Sequence, residues 1–413
     1  MAKLLLACFL CLLLLWTVPS GFQTSSDATL LPTASGRHLL QGSIAPLVNP
    51  ALQNAFIALQ AWKNAITSDP LGITATWVGP NVCQYRGVFC SPPPDKSCQL
   101  VVSGIDLNHA LLTGTLPEEL GLLTYLALFH INTNFFSGPI PYSFKNLFLL
   151  FELDISNNRF SGDFPAVVLG LPSLAYLDIR FNGYRGILPP AIFDKQSLDA
   201  IFVNNNYFAC YIPANLGNSP VSVVNFANNQ FDGTIPGSIG NMFKTLNEIN
   251  FLNNELSGCI PPQVGALTLL NVFDASFNLL GGTLPDTIAN MISLVDLDVA
   301  DNLLTGVVPA GICDLPNLVN FTFSDNFFTS ESPDCLRLPS RGAIVDDRGN
   351  CIPNVPFQRP PQQCAAFLSQ PTTCYPKYIA PDPYGSWAPI DRSPLPQSYP
   401  APPPPVAPPP SYY

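Results

Sequence analysis

The sequence predicts an α/β solenoid in which ten repeats of about 24 residues stack around one continuous hydrophobic core. A motif of the form LxLxxNxLxGxIP recurs between residues 105 and 333. Its asparagine column consists of Asn134, Asn158, Asn182, Asn206, Asn229, Asn254, Asn278, Asn302 and Asn326, with Ala110 in the first repeat. A proline column runs in register with it from Pro117 to Pro333. Two columns with one period predict leucine-rich repeats over residues 99–334, of the 24-residue plant extracellular type.

Each part of the motif predicts a local structure. The LxL segment is a short strand whose leucine-type residues face inward, and we expect the Asn side chain to bond backbone groups of the turn that follows. A single coil cannot bury its own apolar row, so the array needs a cap at each end.

The amino terminus has the features of a secretory signal peptide. Lys3 precedes the apolar run Leu4 to Trp16, and Val18 and Ser20 suit cleavage after residue 20. The run is shorter than the roughly 20 residues of a membrane-spanning helix, and no second apolar span follows. We therefore predict a signal peptide over residues 1–20, a mobile segment over 21–49, and secretion without a membrane span.

Residues 50–98 predict an amino-terminal cap. Its apolar residues recur at helical spacing before Asp69-Pro70 ends the helix, and they are Leu52, Phe56, Leu59, Trp62 and Ile66. Ten cysteines remain after signal removal, and in an oxidising compartment they favour disulfides over metal ligation. Cys83 and Cys90, near Trp77, are candidates for a bridge that staples this cap.

The carboxyl-terminal part of the chain contains further cysteines and then a change of composition. Cys313 and Cys335 lie within one repeat length, which suits a capping bridge, and Cys351, Cys364 and Cys374 belong to a cysteine-containing cap or hinge over residues 335–374. Residues 375–413 are rich in Pro and Tyr, which predicts an extended, disordered tail.

The formal charge of −11 argues against nucleic acid as a partner and favours a cationic one. The chain has no GxSxG, HExxH or phosphate-loop motif, and only three histidines could act as bases near neutral pH. Asp296 and Asp298 lie on one strand and face the same way, so they do not flank a substrate bond. The sequence therefore predicts a protein without catalytic activity, cofactor or metal.

The outward positions of the predicted strands and the turns after them form a concave face that is rich in acids. Thirty such positions hold eight acidic residues where composition predicts about two, and Arg180 is the only Lys or Arg among them. The acids are Asp106, Glu152, Asp154, Asp178, Glu248, Asp274, Asp296 and Asp298. They are interspersed with Leu128, His130, Tyr176, Phe202 and Leu252, a mixture of apolar anchors and charge that resembles an interface hot spot. Asp between the two leucines is also common in repeats of this kind, so Glu152, Glu248 and Asp296 are the more informative acids.

Several segments give the chain a family resemblance. They are GIDLNHA (residues 104–110), LPEELGLL (116–123), LALFHIN (126–132), LLFELDISNNRF (149–160), LPSLAYLDIRFN (171–182), NLGNSPVSVVNFANN (215–229), NFTFSDNFFT (320–329) and QCAAF (363–367). Over residues 50–374 the chain resembles the plant leucine-rich-repeat extensins of the cell wall, and especially their short-tailed secreted relatives. The resemblance implies a protein that binds a small, basic, cysteine-containing signalling peptide of the rapid-alkalinization type through its repeats. It also implies a homodimer and association with cell-wall polymer.

The chain departs from this family in its tail and its cysteines. Its tail lacks repeated Ser-Pro-Pro-Pro-Pro units, which puts covalent anchoring in the wall in doubt. The family commonly has cysteines where this chain has Ser137 and Thr234, so Cys259 loses its expected neighbour. Cys210 lies two coils from Cys259, about 10 Å away and too far for a direct bridge. Cys98, Cys210 and Cys259 therefore remain candidates for free thiols or intermolecular bonds.

Two other functions fit the same repeats. Polygalacturonase-inhibiting proteins are similar in their 24-residue repeats and capping cysteines, so an inhibitor of a secreted pectin-degrading enzyme is the alternative. A structural wall protein is a third class, but it would need many more Pro and Tyr repeats in the tail.

The sequence contains one glycosylation sequon, Asn320-Phe321-Thr322. Asn320 precedes an inward residue, so it is expected to project from the strand of the tenth repeat. A glycan there would cover the end of the concave face and would direct a partner to the earlier repeats, between Leu128 and Leu252.

Overall fold

Parallel strands dominate the structure, a computed structural model that describes residues 49–94, 99–370 and 374. Twelve strands, numbered with all others along the chain, form one long sheet in chain order. Its first pair is antiparallel, and the pairs that follow are parallel and in register. The strands are β2 (Val88–Ser91), β3 (Val101–Asp106), β5 (Leu128–His130), β7 (Glu152–Asp154), β9 (Tyr176–Asp178), β11 (Ala200–Phe202), β13 (Val223–Asn225), β15 (Glu248–Asn250), β17 (Val272–Asp274), β19 (Asp296–Asp298), β21 (Asn320–Thr322) and β23 (Ile344–Asp346). The α/β leucine-rich-repeat solenoid predicted from the sequence is confirmed.

A second strand in each coil contributes to two flanking sheets. The first sheet contains β1 (Ile66–Ser68), β4 (Thr113–Gly114), β6 (Phe135–Gly138), β8 (Arg159–Asp163), β10 (Gly183–Gly186), β12 (Tyr207–Tyr211) and β14 (Gln230–Asp232). The second contains β16 (Ser257–Cys259), β18 (Leu279–Gly282), β20 (Leu303–Val308) and β22 (Phe327–Glu331).

Short helices return the chain from the flanking strands to the long sheet. In the ninth repeat this helix is α2 (Ala310–Cys313), and in the other repeats it is a 3₁₀ helix. The 3₁₀ helices of the repeats are Glu118–Leu122, Tyr142–Asn146, Ala166–Gly170, Pro190–Ile192, Leu216–Asn218, Gly237–Met242, Pro262–Ala266, Asp286–Asn290 and Cys335–Arg341, and those of the amino-terminal region are Thr74–Thr76 and Val82–Gln84.

The middle residue of each repeat strand points into the core. Phe129, Leu153, Leu177, Ile201 and their counterparts in later repeats are at most 1% exposed. Burying one such side chain stabilises the fold by about 1.5–3 kcal/mol. The neighbouring residues of each strand consequently face outward, where they are available for contacts with other molecules.

Asparagine side chains join neighbouring coils through buried hydrogen bonds. Asn278 Oδ1 accepts from the backbone N–H of Leu256 at 3.0 Å, and its Nδ2 donates to the carbonyls of Phe251 at 3.0 Å and Ala275 at 3.2 Å. The carbonyl of Phe251 also accepts from Asn254 Nδ2 at 3.0 Å, so successive Asn residues share acceptors. The predicted bonds to the turn after the strand are confirmed, since Asn278 Nδ2 donates to the carbonyls of Ala275 and Ser276, which directly follow β17. The bonds to the preceding coil are additional to those predicted.

An amino-terminal helix covers the first coils. In helix α1 (Pro50–Ala65), Trp62 is fully buried, and its ring centroid lies 5.5 Å from that of Phe129 and 5.6 Å from that of Phe136. The helix ends earlier than the sequence predicts. Residues 66–68 form β1, which pairs antiparallel with β4, because pairing with the sheet edge satisfies backbone groups that a longer helix would leave to solvent. Cys83 and Cys90 form a disulfide in this region.

The long sheet continues beyond residue 334. Strand β23 pairs in parallel with β21, and Asn350 repeats the asparagine bonds by accepting from the N–H of Phe328 at 3.1 Å. Disulfides join Cys313 to Cys335 and Cys351 to Cys364. Cys364 lies in helix α3 (Pro361–Leu368). The carboxyl-terminal end is therefore a further coil that two bridges hold in place.

The prediction that Cys259 has no partner within the chain is wrong. Cys259 forms a disulfide with Cys374, 115 residues away in sequence. Cys374 lies beside β16, where Gly258 and Gly282, at φ values of 75° and 74°, leave room for it. Sequence spacing cannot reveal this pairing. Cys210 is a free, exposed thiol, and Cys98 lies outside the described residues.

The predicted signal peptide, almost all of the predicted mobile segment and the Pro/Tyr-rich tail lie outside the residues that the structure describes. Within the described ranges, no helix is both long and apolar enough to cross a membrane.

Candidate partner-binding face

The outward side chains of the long sheet form three columns, here called the strand face. In one coil the columns are represented by Glu152, Asp154 and Ser156, and parallel pairing aligns them with the corresponding residues of neighbouring coils. All fourteen residues predicted to contact a partner lie in these columns. Thirteen are partly or well exposed, namely Asp106, Leu128, His130, Glu152, Asp154, Tyr176, Arg180, Phe202, Glu248, Leu252, Asp274, Asp296 and Asp298.

Asp178 is the exception, because its side chain is fully buried. Its Oδ2 lies 3.1 Å from Nε of Arg180 and accepts a hydrogen bond from the Tyr176 hydroxyl at 3.4 Å. The prediction that Asp178 contacts a partner is therefore wrong, since these two side chains cover the carboxylate. Asp178 instead positions Tyr176 and Arg180, which do reach the surface.

Acids of the second column have a role within their own turns. The Oδ1 atom of Asp154 accepts from the backbone N–H of Ser156 at 3.0 Å, and Asp298 accepts from that of Ala300 at 2.9 Å. Asp106, Asp178, Asp274, Asn225, Asn250 and Asp346 make the same bond two residues ahead. This local turn explains why Asp recurs between the leucines, so these acids do not by themselves indicate a binding site.

Three positions of the second column depart from this pattern, and they are His130, Phe202 and Thr322. His130 Nε2 lies 3.0 Å from Glu152 of the next coil. The Phe202 ring lies 5.5 Å from that of Tyr176, and the Arg180 guanidinium carbon lies 5.2 Å from the Phe202 centroid. In the middle of the face the aromatic ring of Phe202 therefore replaces the turn-forming acid, and it is half-buried and available to a partner.

Burial changes the ionisation of this central cluster. It raises the pKa of Asp178 to about 7, and the nearby Asp154 carboxylate raises it further while Arg180 opposes the shift. Burial also raises the pKa of the Tyr176 hydroxyl, with a smaller effect of the same acids. Tyr176 therefore remains a neutral donor, and the charge beside Arg180 depends on pH.

Two residues near the centre of the strand face were not among those that the sequence predicts to contact a partner. Asn204 lies beside Arg180 in the next coil and is 6% exposed, yet its buried Oδ1 has no hydrogen-bond partner. Phe181 has a positive φ of 51° and is 47% exposed. Its conformation belongs to a column of left-handed residues just before the repeated Asn. An aromatic residue in that column of the motif is the signal that would have identified Phe181.

A second group of acids lies towards the carboxyl-terminal end of the face. Burial raises the pKa of Asp296, and it raises that of Asp298 to about 7, with Asp274 adding repulsion in both cases. Asn320 Nδ2 donates to Asp296 at 2.9 Å, and Asn320 faces outward and is half-buried. Its glycosylation stays a prediction.

The Asp298 carboxyl predicts a pH-dependent stability. The folded state keeps this proton up to about pH 7, whereas the unfolded state releases it near pH 4, so the free energy of unfolding falls between those values. We expect Asp298→Asn to remove this loss and to raise the melting temperature by about 2 °C near pH 8, but not near pH 4. The substitution keeps the turn, because Asn225 and Asn250 make the same bond.

A matched control for this measurement is Asp232→Asn, on the exposed side of flanking strand β14. Thermal unfolding of both variants at the two pH values gives the comparison. Equal stabilisation by Asp298→Asn at both pH values, or none at the higher one, would contradict the proposed ionisation.

Comparison with known proteins shows where this chain belongs. Residues 53–91 match the leucine-rich-repeat N-terminal domain, and residues 149–171 and 221–242 match the Leucine Rich Repeat model. Among solved structures, the ectodomain of the Arabidopsis receptor kinase HAESA in complex with an extended IDA peptide hormone is 25% identical, with a TM-score of 0.56 over 72% of this chain and 53% of that one. A plant ice-binding protein is 26% identical, with a TM-score of 0.60 over 73% of this chain and 94% of that one.

The curated relatives are closer. Leucine-rich repeat extensin-like protein 6 of Arabidopsis thaliana is 63% identical over 367 residues, which is 87% of this chain and 76% of that protein. Leucine-rich repeat extensin-like protein 3 of the same plant is 68% identical over 323 residues, which is 78% of this chain but 42% of that protein. The chain thus spans less than half of this longer relative. With the disulfide-stapled solenoid described above, these identities confirm the resemblance seen in the sequence: the chain belongs to the leucine-rich repeat extensin-like family.

Proposed function

We propose that this protein is a secreted cell-wall protein that binds a small, basic, cysteine-containing signalling peptide on its strand face. One observation carries the proposal. Half-buried Tyr176 and Phe202 occupy the middle of a face whose outward charges are predominantly acidic. Aromatic anchors within a charged rim are typical of binding hot spots, and an acidic rim favours a cationic partner.

Relatives of the same fold support a peptide as the partner. The HAESA ectodomain was solved with a peptide hormone ligand, and it shares the repeat fold with this chain. The plant extensin-like relatives support a location in the cell wall. The sequon at Asn320 supports binding on the earlier repeats, since a hydrated glycan at the tenth repeat would not be buried in an interface.

A direct test measures binding of a synthetic, disulfide-folded basic peptide of the rapid-alkalinization class to the purified mature chain by calorimetry. We expect affinity to fall about tenfold from low to physiological salt, because ions screen the acidic rim. Tyr176→Ala and Phe202→Ala should each weaken binding by about thirtyfold, as expected for desolvated anchors.

Charge reversal at the rim should have smaller effects. Glu152→Lys, Glu248→Lys and Asp296→Lys are each expected to weaken binding about threefold to fivefold, whereas Asp232→Lys on the flanking sheet should leave it unchanged. Binding that is indifferent to all five strand-face substitutions would exclude this site. Failure of every basic peptide to bind would contradict the proposed partner class.

A further inference from the structure

We propose that Arg180 and Asn204 form a subsite on the strand face, flanked by the rings of Tyr176 and Phe202, in which Arg180 binds a carboxylate and Asn204 Oδ1 accepts from an N–H group of the same ligand. The subsite would take either the terminal carboxylate of a peptide or an acidic side chain within it. The identity of the peptide rests on the proposed function, whereas the chemistry of the subsite does not.

The Arg180 guanidinium is held in place by contacts with Asp178 and Phe202 that leave its two Nη atoms available for a ligand. Its Nε lies 3.1 Å from the buried Oδ2 of Asp178, and its carbon lies 5.2 Å from the Phe202 ring centroid. Neither Nη atom makes a hydrogen bond to the residues that the structure describes, and about a third of the side chain is exposed. A fixed guanidinium with two free nitrogens is the geometry that binds a carboxylate in bidentate fashion.

Asn204 supplies the second observation. The backbone N–H of Phe181 donates to the carbonyl of Asn204 at 3.1 Å, which places Asn204 directly beside Arg180 in the next coil. Its side chain is 94% buried by residue exposure and forms no hydrogen bond within the described part of the chain. Asn132, in the same column, donates to Ser156 and accepts from Thr133. The buried Oδ1 is a hydrogen-bond acceptor, and leaving it without a donor is costly unless a ligand N–H, such as the one next to a terminal carboxylate, donates to it.

The second column of the same coil also departs from the usual pattern. Most coils place Asp or Asn there to bond the residue two positions ahead, but the coil of Asn204 has Phe202 instead. An aromatic ring in place of the turn-forming acid removes a negative charge and adds an apolar surface beside the Arg180 guanidinium. The change therefore makes this coil suitable for an anion.

The local charge favours the same ligand. The coils that contain Phe202 and Asn225 have no outward acid in the three columns. On the other side, Arg180 pairs with Asp178, and burial raises the pKa of Asp178 to about 7, with the Asp154 carboxylate raising it further. Below that pH the charge of Arg180 is increasingly unopposed. A carboxylate can thus bind at the centre while basic residues of the same peptide contact the acids at either end.

The experiment compares three forms of the synthetic basic peptide on the mature chain: the free acid, the amide at its carboxyl terminus, and a form whose acidic side chains are amides. One of the two modified peptides is expected to bind about tenfold more weakly than the free acid, and which one does so identifies the source of the carboxylate. In Arg180→Gln this preference should disappear. Equal binding of all three forms to the wild type would overturn the subsite but leave peptide binding intact.

A small probe keeps the test independent of the peptide. N-acetylphenylalanine is expected to give saturation-transfer NMR signals with the wild type, and its amide is not, because only the acid can pair with Arg180. Both Arg180→Gln and Asn204→Leu should abolish the signal. Absence of a difference between acid and amide would overturn the subsite even if no peptide binds.

Thermal unfolding separates this role from a structural one. Asn204→Leu should leave the melting temperature unchanged or raise it, because the native amide makes no hydrogen bond that the substitution could remove. The matched variant Asn132→Leu should lower the melting temperature, since its amide is bonded on both sides. A loss of stability in Asn204→Leu similar to that in Asn132→Leu would assign Asn204 to the fold and contradict the subsite.

Discussion

A fragment of residues 99–334 is expected to aggregate instead of folding. The truncation removes Trp62, which lies against Phe129 and Phe136, and thereby exposes the apolar row of the first coils. It also removes Cys335 and Cys374, the partners of Cys313 and Cys259. Each coil is stabilised mainly by its neighbours, so an uncovered end destabilises the whole array.

Size-exclusion chromatography and calorimetry of the secreted fragment give the measurement. The matched control begins at Asn49, whose side chain caps helix α1 by accepting from the N–H of Ala51 at 3.1 Å, and continues to Tyr413. This control should elute as a single species and melt cooperatively. A soluble 99–334 fragment with a cooperative transition would show that the repeats do not need their caps.

Substitution of one asparagine of the repeated column should be the most damaging polar point change in the chain. Asn278→Ala leaves the buried N–H of Leu256 without its acceptor and removes the three bonds that Nδ2 donates to carbonyls at the coil junction. We expect a loss of about 3 kcal/mol in the free energy of unfolding, because an unsatisfied buried donor adds to the lost bonds. Denaturant unfolding gives the value.

The control is Asn290→Ala, in the exposed last position of the 3₁₀ helix Asp286–Asn290. It should change the stability by less than about 0.5 kcal/mol. Because the carbonyls of Phe251 and Ala275 keep a second asparagine donor, the damage should remain local to one junction. Equal effects of the two substitutions would contradict a structural role for the asparagine column.

Much of the candidate site followed from the sequence because the repeat period assigns each residue to a column. Glu152, Tyr176 and Phe202 face outward as predicted, since side chains alternate along a strand whose middle residue is buried. The period could not distinguish acids that bond their own turn from acids that remain free. Nor could it show that Asp178 is buried, because that depends on how Arg180 and Tyr176 fold over it.

The sequence by itself determined the solenoid, the order of its coils and the face on which outward residues lie. These features arise from local periodicity, which any stretch of residues 99–334 reveals. Only the tertiary structure decided the bond between Cys259 and Cys374, the continuation of the sheet to Asp346 and the unpartnered amide of Asn204. Each of these depends on contacts between residues from different coils or distant segments, and the packing that creates such contacts has no local signature in the sequence.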